Sequence, residues 1–112
     1  MTAETIGKFE MELLLTVWNL GDRAYGVSIA DRLRDRTGAS PTIGKLYTTL
    51  DRLDRKGFLE HWMGEPTKER GGRRKKYFRI TGAGQTVATM AYNRWAALAA
   101  GLPLPTGGEV TT

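Results

Sequence analysis

The chain has 112 residues and a net charge of +5, from 17 Lys and Arg against 12 Asp and Glu, and it contains no Cys. That length fits one domain, and a domain of this size buries only about two-thirds of its unfolded surface, so a partner subunit would be a useful source of extra core. The missing cysteines exclude a disulfide frame, a thiolate metal site and a cysteine nucleophile together.

The N-terminal stretch carries acidic residues before and inside its apolar part and has no basic leader, so it does not read as a signal peptide. Its unbroken apolar run, Leu13 to Leu15, is far too short to span a membrane, and a cytoplasmic protein is expected. Ile6, Phe9, Leu13, Val17 and Leu20 fall at helical spacing and predict a helix over residues 5–20, ended by Gly21 and Asp22. A second stripe through Met11, Leu14 or Leu15, and Trp18 suggests that another subunit covers the far face of this helix. Ile29, Ala30 and Leu33 predict a short second helix that stops at Gly38.

After the turn "ASPT", Thr42 is a good N-cap for a third helix with Leu46, Leu50 and Leu53 on one face. Its other face offers Gly44, Lys45, Thr48, Asp51, Arg52 and Arg55, and Gly57 closes it. Two segments rich in strand formers follow, "FLEHWM" and "KKYFRIT", joined by the long polar loop "GEPTKERGGRR" as a hairpin. In the second segment Phe78 and Ile80 point to one side and Tyr77 and Arg79 to the other. From Gly82 or Ala83 the chain is Ala-rich, with Val87, Met90 or Ala91, Trp95 and Leu98 at helical spacing up to Gly101. The expected fold is mainly α with a small β-hairpin, a winged helix-turn-helix over 1–81, a C-terminal dimerisation helix over 82–101 and a flexible tail over 102–112.

The charge is concentrated. Residues 1–40 hold five basic against six acidic side chains, residues 41–79 hold eleven against five, and residues 80–112 hold one of each. An excess of +6 confined to the middle third fits a polyanion footprint. Within it, "ERGGRRKKYFRIT" puts six Arg and Lys among thirteen residues, but its adjacent Gly71 and Gly72 precede a strand rather than a helix. A nucleotide-cradling loop needs amides focused by a following helix, so that reading drops out. His61 stands alone, Ser28 and Ser40 lack a nucleophile's context, and no acid-base pair stands out. Neither an enzyme nor a cofactor is expected.

The third helix suits the major groove of double-stranded DNA, because short polar side chains and a glycine permit close approach while cations lie at the margins. Thr48 and Thr49 can meet a thymine methyl or a phosphate, Lys45 and Arg52 a guanine or a phosphate, and Tyr47 a phosphate through its hydroxyl. The helix start at Thr42 can offer backbone N–H groups to phosphate, and Gly44 opens the approach. Arg70, Arg73, Arg74, Lys75 and Lys76 are expected to form the wing contact to the DNA backbone. Met90, Trp95 and Leu98 in the last helix, with Phe9 and Trp18 in the first, are expected to build a dimer interface or a pocket for a flat apolar ligand.

At "TIGKLYTTLDRLDRKGFL" and "RGGRRKKYFRITGAG" the chain resembles the PadR family of bacterial transcriptional regulators. Thr42, Gly44, Leu46 and Tyr47 match the start of that family's recognition helix, and Leu50, Leu53, Asp54 and Gly57 match its end. Gly72, Arg73, Lys76, Tyr77, Phe78, Thr81 and Gly84 match the closing of its wing, and "YGVSI" fits the second helix. Phe58, Phe78 and the extended wing depart from its commonest residues, and the single helix after the wing looks like the family's short class. The resemblance implies a homodimeric repressor on a palindromic operator, controlled by a small apolar or aromatic effector. The competing expectation is a winged-helix interaction module whose basic loop docks an acidic protein.

Overall fold

A computed structural model describes residues 5–65 and 74–105. Helix α1, Lys8–Leu20, begins where Glu10 Oε1 accepts the Gly7 N–H at 2.9 Å, which satisfies one of the amides that a helix start leaves unpaired. It ends at Gly21, whose φ of +63° suits a residue without a Cβ. Along it Leu13, Leu14 and Val17 are buried, so the inward stripe is as expected. The second stripe is largely covered within the chain, since Met11 and Leu14 are buried and only Leu15 and Trp18 stay exposed.

A turn of 3-10 helix, Gly21–Arg23, leads to strand β1, Ala24–Tyr25, which the sequence pattern did not suggest. Two residues are too few to show alternation, and this strand exists because β3, Lys76–Ile80, offers it an edge: Ala24 lies opposite Phe78 and Tyr25 opposite Tyr77. Strand β2, Leu59–Met63, pairs on the other side of β3, so the expected hairpin is a three-stranded antiparallel sheet of order β1-β3-β2.

Helix α2, Gly26–Thr37, starts where Ser28 Oγ accepts the Tyr25 N–H at 2.9 Å and stops at Gly38 in the left-handed region. Helix α3, Ile43–Arg55, has the predicted Thr42 cap, with Oγ1 accepting the Lys45 N–H at 3.2 Å. Leu46, Leu50 and Leu53 on its inner face join Ile29 and Leu33 of α2, Leu13, Leu14 and Val17 of α1, and Leu59 and Phe78 of the sheet in one core. Phe78 is fully buried at its centre, on the face of β3 opposite Tyr77.

Helix α4, Gly82–Ala99, is rooted in this core by its first turn. Thr81 Oγ1 accepts the Gly84 N–H at 3.0 Å and donates to the Gly57 carbonyl at 2.6 Å, joining the end of the sheet, the start of α4 and the turn after α3. Gly84 lies so close to that turn that a Cβ there would fall 2.1 Å from the Phe58 carbonyl oxygen. Val87 and Ala88 are also buried, whereas Met90, Tyr92, Trp95 and Leu98 are 51–75 % exposed, so the second half of α4 presents its apolar side chains outward.

Candidate nucleic-acid interface

The outer face of α3 is an open ridge. Thr42, Gly44, Lys45, Thr48, Arg52 and Arg55 are all exposed, and a Cβ on Gly44 would meet nothing within 4 Å, so another backbone can come close there. Thr49 departs from the expectation. At 4 % exposure it is turned inward beside Leu46, Leu50 and Leu53, because one residue along a helix rotates the side chain by about 100° and only Thr48 stays outside. Tyr47 is 38 % exposed, with its ring laid over α2. Gly26, the first residue of that helix, makes room for the phenol, since a Cβ there would fall 1.9 Å from the Tyr47 oxygen.

Two of the expected DNA-contacting cations are already engaged by α1. Lys45 Nζ lies 4.5 Å from the centre of the Phe9 ring, within cation–π range. Arg52 lies 3.8 Å from Glu10 Oε2, and Lys56 at the C-cap donates to the same oxygen at 3.1 Å. Burial by itself would raise the Glu10 carboxyl, but the Gly7 N–H, the Lys56 ammonium and Arg52 outweigh it and hold the group below its ordinary value. Gly7, Phe9 and Glu10 thus form one wall of a groove whose other wall is Gly44, Lys45, Thr48 and Arg52. The role of Glu10 did not emerge from the sequence, although an acidic residue on the inward side of an amphipathic helix is a readable sign of a paired carboxylate.

The wing root faces the same ridge. Lys76 Nζ reaches Asp51 Oδ1 on α3 at 3.4 Å, which ties the beginning of β3 to the outer side of that helix. Gly64 N donates to the Lys75 carbonyl at 2.8 Å and extends the ladder beyond the last residue of β2 and the first of β3. Arg74 and Lys75 are exposed, with Lys75 Nζ 4.5 Å from the Tyr25 ring, while Arg70 and Arg73 lie outside the described residues. On the outward side of the sheet Tyr77 stacks on Trp62 at 5.5 Å and meets Tyr25 edge-on at 5.6 Å.

Within one chain, the residues expected at a dimer interface or pocket lie in separate places. Met90 and Trp95 of α4 line a cavity of about 450 Å³ with Thr5, Ile6, Val87, Ala91 and Arg94. Phe9 is turned away from it, under Lys45. Trp18 lies ten residues beyond Lys8, about 15 Å along α1, and Leu98 is close to the far end of α4. Among the described residues no group of His, Asp and Glu could hold a metal ion, and no helix is long and apolar enough to cross a membrane.

The profile of the transcriptional regulator PadR-like family matches residues 14–90, from the middle of α1 into α4. The chain belongs to that family. It is a PadR-like transcriptional regulator, a DNA-binding protein and not an enzyme. An uncharacterised protein of Lysinibacillus sphaericus is 34 % identical over 74 residues, which is 64 % of this chain and 65 % of that protein's length. Among solved structures, a transcriptional regulator from Clostridium thermocellum is similar with a TM-score of 0.67 and 26 % identity, over 80 % of this chain and 84 % of the other. A PadR family regulator from Eggerthella lenta gives 0.62 and 27 %, over 77 % and 72 % of the two chains. One from Clostridium difficile, at 22 % identity and 0.64 over 79 % and 88 %, shares the fold.

Proposed function

We propose that this PadR-like regulator is a homodimeric repressor that lays α3 in the major groove, rests its wing on the phosphate backbone and releases DNA when a small apolar or aromatic molecule binds. The Lys76–Asp51 contact supports this reading, because it joins the root of the wing, next to the exposed Arg74 and Lys75, to the helix on which Thr42, Gly44, Lys45, Thr48 and Arg52 are exposed. Polar side chains on a helix ridge suit base edges, and cations on a neighbouring hairpin suit phosphate. Tyr47 adds a hydroxyl at the start of α2, where helix amides favour an anion.

Dimerisation is assigned to the exposed Met90, Tyr92, Trp95 and Leu98 of α4, with Leu15 and Trp18 of α1 contributing. The effector is assigned to the cavity beneath Met90 and Trp95, whose volume falls in the range of small-molecule sites. A titration of the protein on duplexes from its own promoter region, repeated across salt concentrations, tests the DNA part. Affinity that falls linearly with the logarithm of salt is expected, and affinity insensitive to salt removes the phosphate contacts from the account.

A further inference from the structure

The chain has four isoleucines, at positions 6, 29, 43 and 80. Ile29 is fully buried and Ile6 and Ile80 pack against the core, whereas Ile43 is 75 % exposed. It occupies the first position of α3, directly after the Thr42 cap. A β-branched residue gives a helix start no advantage in propensity, and this one packs on little of the protein. Its surroundings are open: Thr42 and Gly44 on either side are exposed, and Gly44 offers only backbone. The nearest cation along the helix, Lys45, has its ammonium drawn sideways over the Phe9 ring. The leading end of α3 is therefore an aliphatic knob between two small residues.

We infer that Ile43 is a specificity-determining residue that packs on the C5-methyl of a thymine in the major groove. The inference rests on the placement of α3 proposed above. The first turn of a recognition helix approaches base edges most closely. An aliphatic side chain has no donor or acceptor to offer them, and the thymine methyl is the apolar group displayed in that groove. Cytosine lacks the methyl and presents an amino donor that Ile43 cannot satisfy, so Ile43 favours A·T over G·C at its position by contact and by desolvation together. No sequence pattern marks this residue, since an apolar side chain at a helix start is indistinguishable from core until its exposure is known.

The test uses the full-length protein and a duplex that it selects from random sequence. Each thymine is replaced in turn by deoxyuridine, which removes the methyl and leaves every hydrogen-bonding group, and affinity is read by fluorescence anisotropy. One thymine per half-site is expected to lose about four-fold on replacement, the effect of roughly one apolar carbon. Ile43→Ala binds the thymine and deoxyuridine duplexes equally, and Ile43→Val retains most of the difference. Because the side chain is exposed, both variants keep the wild-type thermal melt. The inference is overturned if no replacement weakens the wild type, or if Ile43→Ala keeps the wild-type ratio. Failure of the α3 placement looks different: Lys45→Ala and Thr48→Ala then select the wild-type sequence unchanged, whereas altered selection by those variants beside an unaltered ratio in Ile43→Ala removes the methyl contact alone.

Discussion

Glu10 of α1 accepts a 3.1 Å hydrogen bond from Lys56, the residue that caps the C-terminus of α3. The same carboxylate takes the Gly7 N–H and lies 3.8 Å from Arg52, so one side chain stitches the first helix to the proposed DNA-reading one. Glu10→Gln keeps the shape and removes the charge, and a loss of about 1–3 kcal/mol in unfolding free energy is expected near neutral pH. Since the folded-state carboxyl is held below the unfolded glutamate value, its contribution is fully present above about pH 4.5 and is lost as pH falls through the lowered folded value. Denaturant titrations of wild type and variant should therefore converge in acid and differ most near neutrality. A constant offset at every pH would mean that the charge of Glu10 contributes nothing.

The same substitution should strengthen DNA binding while weakening the fold. Without Glu10, Arg52 is released toward phosphate, and the slope of log affinity against log salt should steepen by about one contact's worth, roughly 0.9. An unchanged slope would show that Arg52 does not reach the backbone.

Gly84→Ala is expected to destabilise by about 1–3 kcal/mol, because the new methyl collides with the Phe58 carbonyl and with Ile80 Cγ1, which it would approach to 2.7 Å. In a thermal melt followed by circular dichroism this is a drop of several degrees. Alanine ordinarily favours a helix over glycine, so a rise in melting temperature would contradict the close approach.

Two classes of DNA-binding variant should separate. Arg74→Ala on the wing should weaken binding to all duplexes alike and lower the salt slope by about 0.9. Thr48→Ala on α3 should leave the slope intact and change which sequence is preferred. If Arg74→Ala alters sequence preference, the wing reads bases as well as phosphate.

Leu98→Glu places a charge among the outward apolar side chains of α4, where Leu98 is 75 % exposed, and should convert the proposed dimer to monomer in sedimentation without loss of helicity. Trp95→Ala, by contrast, should abolish or weaken the proposed ligand-induced release of DNA, since Trp95 lines the cavity between Thr5 and Ile6 on one side and α4 on the other. Equal effector response in Trp95→Ala would place the effector elsewhere.

The helices were legible because glycines punctuate them and leucines repeat at helical spacing: Gly21, Gly38 and Gly57 all adopt positive φ where α1, α2 and α3 end. Strand β1 was not legible, since Ala24 and Tyr25 form a strand only because β3 lies alongside. On α3 the pattern separated inner from outer faces but misassigned Thr49, whose neighbour Thr48 is chemically identical and differs only in its angle around the helix. That Phe9 lies apart from Trp95 within one chain has a related cause. A stripe tells which residues share a face, not which element arrives to meet it, and Lys45 reached Phe9 first.

The hydroxyl of Thr81, bonded at once to Gly57 and to Gly84, leaves no slack between the wing sheet and α4. In a dimer joined through α4 each DNA-binding half is then the rigid end of a lever whose pivot is the packing of one α4 on the other. Half-site letters would be chosen on α3, but the spacer between half-sites would be chosen some distance away, at Met90, Trp95 and Leu98. A change in those side chains could give a regulator that reads the same letters at a different interval.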